Sequence, residues 1–346
     1  MEELKRRVAA YLQHKMPDVM EVTVTSAARI HGGASRETYR LRARWHDGDT
    51  SHERGLIIRR DPTAGLLEVD CGVEFAAYRA FHPIGLPVPE PLFLETDPQW
   101  LERPFFIMAE VEDCDAASPM TAEPYGPHAA KIGRQFFTYL GHIAAQDPAA
   151  LGLVGTLAPV APEACWQREL AHWEQVIDTD EVRPQPVARA AIRWMRRNPP
   201  PPPTKVTVVH GDYRSGNFLF DASGDIQAIL DWEMCHLGDP LEDLAWAIDP
   251  LWAMKTPDRP GGMLPRDEAL RIWEAATGQR VDPVALRWWE IFSHVKGLAI
   301  WISAGKEYHS GTNMDPILAF PSWYCTDVHN RLIVAKLAAP HEEQAR

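Results

Sequence analysis

Apolar residues recur at helical spacing over residues 2–15, where Leu4, Val8 and Leu12 share one face, and give way to strand-like alternation from Val22 to Ala28. Period-two patterning returns from Thr38 to Trp45, and the turn residues Asp47-Gly48-Asp49 lead to a third short strand, Gly55 to Arg59. Helical spacing resumes over 67–81 through Val69, Val73, Ala76, Ala77 and Ala80, and the Pro87-Val-Pro89-Glu-Pro91 stretch ends that element. Phe105 to Val111 is a further apolar strand, so the amino-terminal third reads as a small antiparallel sheet carrying one helix. Past Asp113 the pattern is mainly helical, with the stronger candidates at 127–145, 163–177, 186–197, 266–277 and 283–305. One β-rich island, Lys205 to Trp232, interrupts them: two strands flank the turn Asp221 to Asp225, and a stiff run, Pro199 to Pro203, leads in. The expected class is α+β, with a small sheet-based amino-terminal lobe and a larger, mainly helical carboxy-terminal lobe.

Composition narrows the partners. The chain has 346 residues, a length that fits about two domains, and 45% of them are hydrophobic, as in an ordinary globular protein. Thirty-five Lys and Arg against 48 Asp and Glu give a net charge of −13, which repels phosphate backbones and anionic lipid; no nucleic acid partner is expected. The five cysteines (71, 114, 165, 235 and 325) are odd in number and never in a C-x-x-C pair, against a disulfide framework or a structural zinc site. The amino end has no apolar signal core and no stretch is long enough to span a bilayer, so a cytoplasmic protein without a membrane partner is expected.

The chemistry concentrates in Val208-Val-His210-Gly-Asp212-Tyr-Arg214-Ser-Gly-Asn217, followed by Leu230-Asp231-Trp-Glu233. Several polar side chains fall in a loop bracketed by apolar strands. Such a set suits metal-assisted phosphoryl transfer: one carboxylate beside the attacking hydroxyl, and a second carboxylate with an amide oxygen for magnesium. The five-residue spacing from Asp212 to Asn217 equals that of the kinase catalytic loop, with Asp231 in the place of the D-F-G aspartate. No G-x-S-x-G, H-E-x-x-H or Walker A sequence points to a rival chemistry.

Three linked blocks, His210-Gly-Asp212 with Asn217, then Leu230-Asp231-Trp-Glu233, then Gly238-Asp-Pro-Leu-Glu-Asp243-Leu-Ala245, resemble the signature of the aminoglycoside phosphotransferase (phosphotransferase enzyme) family, over about residues 20–330. The resemblance implies a two-lobed protein-kinase-like fold, with residues 1–112 as nucleotide-binding lobe, 113–338 as catalytic and substrate-binding lobe, and 339–346 as a flexible tail. It implies an ATP- and Mg2+-dependent kinase acting on a small-molecule hydroxyl. Asp212 would be the catalytic base, and Asn217 and Asp231 the magnesium ligands. Arg214 would either neutralise charge on the transferring phosphate or form a surface ion pair, while His210 holds the loop together. Asp239 and Asp243 would cap and tie down the helix that begins near Leu241.

In the amino-terminal lobe, Gly32, Gly33 and Ser35 lie in a loop between two strands, where amide groups could cover nucleotide phosphates. Arg59 stands where the family pattern has lysine, and Glu74 falls on the next helix as its partner or as a solvated residue. Adenine would bind backbone near Ala109 to Val111. The stretches Leu56-Ile-Ile-Arg59-Arg-Asp-Pro62, Phe105-Phe-Ile-Met108 and Trp273-Glu-Ala-Ala-Thr-Gly278 resemble one branch of the family, the kinase-like domains associated with acyl-CoA dehydrogenases. That branch implies a hydroxyacyl-type acceptor or its CoA thioester. An antibiotic phosphotransferase and a nucleotide-binding pseudokinase are the alternatives. Acidic residues Glu110, Glu112, Asp113 and Asp115 would either attract a cationic aminosugar or form a solvated charge run.

Overall fold

A computed structural model describes residues 1–30, 36–62, 70–118, 121–253, 255–311 and 314–339. The chain divides into two compact units, one formed by Met1–Cys114 with Gln227–Glu233, the other by Asp115–Ile226 with the chain from Met234 onward.

The first unit opens with helix α1 (Glu2–Lys15), followed by strands β1 (Met20–Ile30), β2 (Glu37–Asp47) and β3 (Thr50–Arg60). Helix α2 (Cys71–Phe81), strand β4 (Pro91–Glu95), the single turn α3 (Pro98–Leu101) and strand β5 (Phe105–Ala109) complete it. The strands form one five-stranded antiparallel sheet in the order β1-β2-β3-β5-β4. The sequence pattern ends its element at the prolines before β4. As the edge strand β4 needs only one ladder, so Pro91, which donates no hydrogen bond, is tolerated there. Val8, Tyr11 and Leu12 of α1 bury their apolar stripe against Leu41, Ile58, Phe105 and Ile107 of the sheet. On α2 the Asp70 side chain caps the first turn by accepting from Gly72 N at 2.7 Å. The segment 227–233 is tied to the unit by Ile229 N donating to Pro87 O at 2.8 Å and by the Trp232 ring, 4.6 Å from Phe81.

The second unit begins near the short strand β6 (Cys114–Ala116) and contains helices α4 (Ala129–Ala145), α5 (Cys165–Asp180) and α6 (Pro186–Arg197). Strands β7 (Thr207–Val209) and β8 (Phe218–Asp221) follow, and β9 (Ile226–Ile229) carries the chain out of the unit. The β8–β9 turn closes with Gly224 N on Asp221 O at 2.9 Å. The chain returns through β10 (His236–Gly238), α7 (Pro240–Ala247), α8 (Arg266–Thr277), α9 (Pro283–Ser310), α10 (Pro316–Phe320) and α11 (Thr326–Ala338). Helix α9 is the axis of the unit, packed against α5, α6, α7 and α11. Its start is capped by the Asp282 side chain, which accepts from Val284 N and Ala285 N at 2.8 and 3.0 Å. It runs on to Ser310, past the expected end at residue 305, and stops at Gly311 in the left-handed conformation (φ +77°). Trp288 and Trp289 are core residues, 1% and 0% exposed, whereas Trp323 is 71% exposed. Antiparallel pairing of β7 with β10, His236 opposite Val209, delivers the polar loop after β7 to the start of α7. Among the described residues, no helix is long and apolar enough to cross a membrane.

Candidate active site

The loop after β7 is held by buried groups at each peptide. Gly211 has φ +86°, and a Cβ there would collide with the Met234 carbonyl, so only glycine makes this turn without strain. Asp243 of α7 accepts from His210 N at 2.6 Å and Gly211 N at 2.9 Å. Asp243 thus ties α7 down, to the loop, but does not cap it. Asp239 does cap α7, accepting from Leu241 N at 2.9 Å, and its other oxygen accepts from Trp289 Nε1 at 2.9 Å. His210 is fully buried, and its Nδ1 accepts from Asp212 N at 3.1 Å, a loop-holding contact.

Asp212 is thereby presented with both carboxylate oxygens engaged. Oδ1 accepts from Trp246 Nε1 at 2.7 Å and Arg214 Nε at 3.1 Å, and Oδ2 accepts from Asn217 Nδ2 at 2.6 Å. Arg214 also lies over the Trp252 ring, 4.7 Å from its centroid, and donates from Nη1 to Ser215 O at 3.1 Å. Asn217 is 4% exposed and donates its amide to Asp212, which leaves the amide oxygen as its acceptor group. Three of the sequence candidates, Asp212, Arg214 and Asn217, therefore form one hydrogen-bonded set in the second unit. Trp246 belongs to that set but carries no motif signal, because an indole in an apolar helix reads as core.

A second cluster lies in the first unit. Arg59, on β3, pairs with Glu74 Oε1 of α2 at 3.0 Å and with Asp231, and approaches Glu233 Oε2 at 3.5 Å. Glu74 is fully buried, which excludes the solvated reading, and it accepts from the Tyr78 hydroxyl at 3.2 Å. Burial pushes the Glu74 carboxyl up to about 7, while Arg59 pulls it down and Glu233 and Asp231 oppose Arg59. Arg36, a second buried guanidinium, sits 3.3 Å from Glu74 Oε2 and pairs with Asp61. No motif marks its position. Asp231 has φ +64°, unusual for a non-glycine residue, and its N–H donates to the Tyr78 hydroxyl at 3.2 Å. Arg60, on the opposite face of β3, donates instead to Glu37 at 2.9 Å, as strand alternation requires.

Of the remaining candidates, Ala109 closes β5, its N–H donating to Glu90 O at 2.9 Å, and Val111 follows half-buried. Gly32, Gly33 and Ser35 lie outside the described residues. Of the acidic run, Glu110 pairs with Arg40 at 2.7 Å and Glu112 with Arg42, both on β2, while Asp113 and Asp115 are exposed.

Oxygen donors suit a hard cation such as Mg2+, and the amide oxygen of Asn217 in the second unit and the carboxylate of Asp231 in the first each fit that chemistry. A buried trio elsewhere in the second unit, Asp249, His294 and His329, does not. Trp301 Nε1 donates to His329 Nδ1 at 3.2 Å, which puts the imidazole proton on Nε2, facing Asp249 Oδ2 at 3.5 Å. A nitrogen carrying that proton has no lone pair for a metal, so the trio is a polar core contact.

The model of the phosphotransferase enzyme family matches residues 26–282, and the chain belongs to that family. It is 29% identical over 202 residues to acyl-CoA dehydrogenase family member 11 of Gallus gallus, covering 56% of this chain and 25% of that protein. The chain thus spans about a quarter of that relative's length. Among solved structures, a candidate aminoglycoside phosphotransferase from Ralstonia eutropha superposes with a TM-score of 0.71 at 18% identity, covering 97% of this chain and 99% of the other. A thermostable variant of aminoglycoside phosphotransferase APH(4)-Ia, in complex with ADP and hygromycin B, gives a TM-score of 0.57 at 17% identity over 96% and 99% of the two chains.

Proposed function

We propose that this protein transfers the γ-phosphate of ATP, with Mg2+, to the hydroxyl of a small molecule. The observation that carries the reading is Asp212, a carboxylate in a hydrogen-bonded cradle of Trp246, Arg214 and Asn217. In this reaction the acceptor oxygen bonds to the γ-phosphorus, the bond to the β-phosphate oxygen breaks, ADP leaves, and the hydroxyl proton passes to Asp212. Magnesium, when bound, neutralises charge on the phosphate oxygens, and Asn217 and Asp231 would hold it. Arg59, steadied by Glu74, would grip phosphate oxygens in place of the usual lysine, since a guanidinium keeps the charge and offers two donors. Gly32, Gly33 and Ser35 would cover the phosphates, and backbone near Ala109 to Val111 would meet the adenine.

For the acceptor we favour a hydroxyacyl-type metabolite or its CoA thioester, because acyl-CoA dehydrogenase family member 11 of Gallus gallus carries a matching segment. The hygromycin B complex of a fold neighbour makes an aminoglycoside the second reading. Against it, Glu110 and Glu112 are engaged by Arg40 and Arg42 rather than available to a polycation. A mass-shift screen with ATP and Mg2+ over hydroxyacyl-CoAs, aminoglycosides, choline-like alcohols and sugars tests the class. Asp212→Ala should cut transfer by about a thousandfold or more with nucleotide affinity near normal. Unchanged transfer to a verified acceptor would refute the role of Asp212, and a screen with no product but intact Mg2+–ATP binding would favour a nucleotide-binding pseudokinase.

A further inference from the structure

Helix α9 carries a lysine at the start of an apolar run, Lys296, followed by Gly297, Leu298, Ala299 and Ile300 and preceded by Val295. Its side chain is 1% exposed, and nothing in the family signature accounts for it. The ammonium donates to Gly211 O at 2.6 Å and to Glu242 Oε1 at 3.0 Å. It also stands 5.3 Å from the ring centroid of Trp246, the indole that donates to Asp212, and 5.6 Å from Trp173. Two routes therefore lead from Lys296 to the Asp212 carboxylate, one through the Gly211 peptide and one through the Trp246 ring.

The far side of Glu242 completes the arrangement. Its Oε2 faces His236 Nε2 at 3.1 Å, and His236 Nδ1 donates to the carbonyl of Met234 at 2.9 Å. That carbonyl is the one lying against the Gly211 Cα. Glu169 Oε1 also faces His236 Nε2, at 3.6 Å, and is itself paired with Arg168 at 3.0 Å. Burial opposes charge on the His236 imidazole, but Glu169 and Glu242 outweigh it and raise the group to about 9; His236 is thus a cation between two carboxylates. Against burial, Lys296 and His236 hold Glu242 down at about 2. Asp243 grips the N–H of Gly211 while Lys296 grips its C=O, so both ends of the residue before Asp212 are fixed by buried charges.

We propose that Lys296, backed by Glu242 and His236, is a positioning residue for the reaction: it sets the Gly211 peptide and the Trp246 indole, and through them the direction of the Asp212 carboxylate. The proposal rests on the assignment of Asp212 as the catalytic base. A displacement of the base by about an ångström costs on the order of a hundredfold in rate, so a residue that never touches substrate can control turnover.

The test compares wild type with Lys296→Met, using ATP and Mg2+ with water as acceptor, together with the 15N–1H resonance of the Trp246 indole. Lys296→Met should lower kcat for ATP hydrolysis by about ten- to a hundredfold, leave KM for ATP within about twofold, and shift the Trp246 resonance. Should that variant not fold, Lys296→Met combined with Glu242→Gln removes the buried charges together and is read in the same way. Wild-type kcat and an unmoved Trp246 resonance in a folded variant would overturn the proposal, whatever the change in melting temperature. Asp212→Ala separates the two inferences. Full hydrolysis in Asp212→Ala would remove the assigned base, while the Trp246 resonance in Lys296→Met would still decide whether Lys296 sets the loop.

Discussion

Replacing Arg59 by methionine isolates the electrostatics of the first cluster. The change keeps much of the apolar stem but deletes the guanidinium 3.0 Å from Glu74 Oε1. Two unit charges at that distance attract by about 5–6 kcal/mol at an effective dielectric of ~20, and removing one partner of a buried pair costs ~3–5 kcal/mol in practice. Arg36 remains 3.3 Å from Glu74 Oε2 and the Tyr78 hydroxyl 3.2 Å from Oε1, so the expected loss falls toward the lower end, ~3 kcal/mol. The sign with pH follows from Glu74, whose folded carboxyl already stands near 7 against an ordinary 4.5. Between those values the folded protein holds a proton that the unfolded chain has lost, so stability falls as pH rises through the window. Without Arg59 the carboxyl rises further, and the penalty of Arg59→Met should be smaller near pH 5, where only the pairs with Asp231 and Glu233 are lost, than near pH 8, where the Glu74 pair is lost as well. Urea unfolding at both pH values measures it, since guanidinium chloride would screen the ion pair. Native-state hydrogen exchange of β3 and α2 amides assigns the loss to the first unit. A penalty below about 1 kcal/mol at pH 8, or an equal penalty at pH 5, would refute the account.

Other consequences are open to simpler measurements. Trp246→Phe removes the donor 2.7 Å from Asp212 Oδ1 and should lower turnover by about tenfold with little change in nucleotide affinity, as steady-state kinetics would reveal. Gly297→Ala would set a Cβ against the His329 ring where α9 meets α11, and thermal unfolding should register a loss of about 1–3 kcal/mol or more. Burial raises Asp239 and Asp243 to about 6 from an ordinary 3.8. Their folded forms keep protons in that window that the unfolded chain releases, so each should subtract up to about 3 kcal/mol as pH climbs from 4 to 6. Denaturation across that range should show stability falling, and Asp243→Asn should flatten part of the slope.

What the sequence revealed and what it hid follow from the range of the interactions. Elements whose apolar stripe faces one core, such as α1 and β2, announce themselves by period alone. The loop His210 to Asn217 is legible for a related reason: its Asp212–Asn217 bond spans five residues, so a spacing rule captures it. Lys296 and Glu242 are 54 residues apart and Lys296 and Gly211 are 85 apart, distances at which period and spacing carry no information. Glu242, in the first turn of α7, looks like the acidic residue that favours any helix start. Asp243 misleads in the same way, since a carboxylate that serves the 210–211 peptides is indistinguishable in sequence from one that serves its own helix. The usable signal is energetic. A lysine cannot stay in an apolar helix such as α9 without an anionic partner, because an unpaired buried ammonium costs several kcal/mol. The same requirement holds for Glu74 on α2, whose neighbours Val73, Phe75, Ala76 and Ala77 are all apolar and whose partners prove to be two arginines. Charged residues set in apolar runs therefore demand partners that pattern alone cannot name: Glu242 for Lys296 in the second unit, and in the first Arg36 and Arg59 for Glu74, with Arg59 also paired to Asp231.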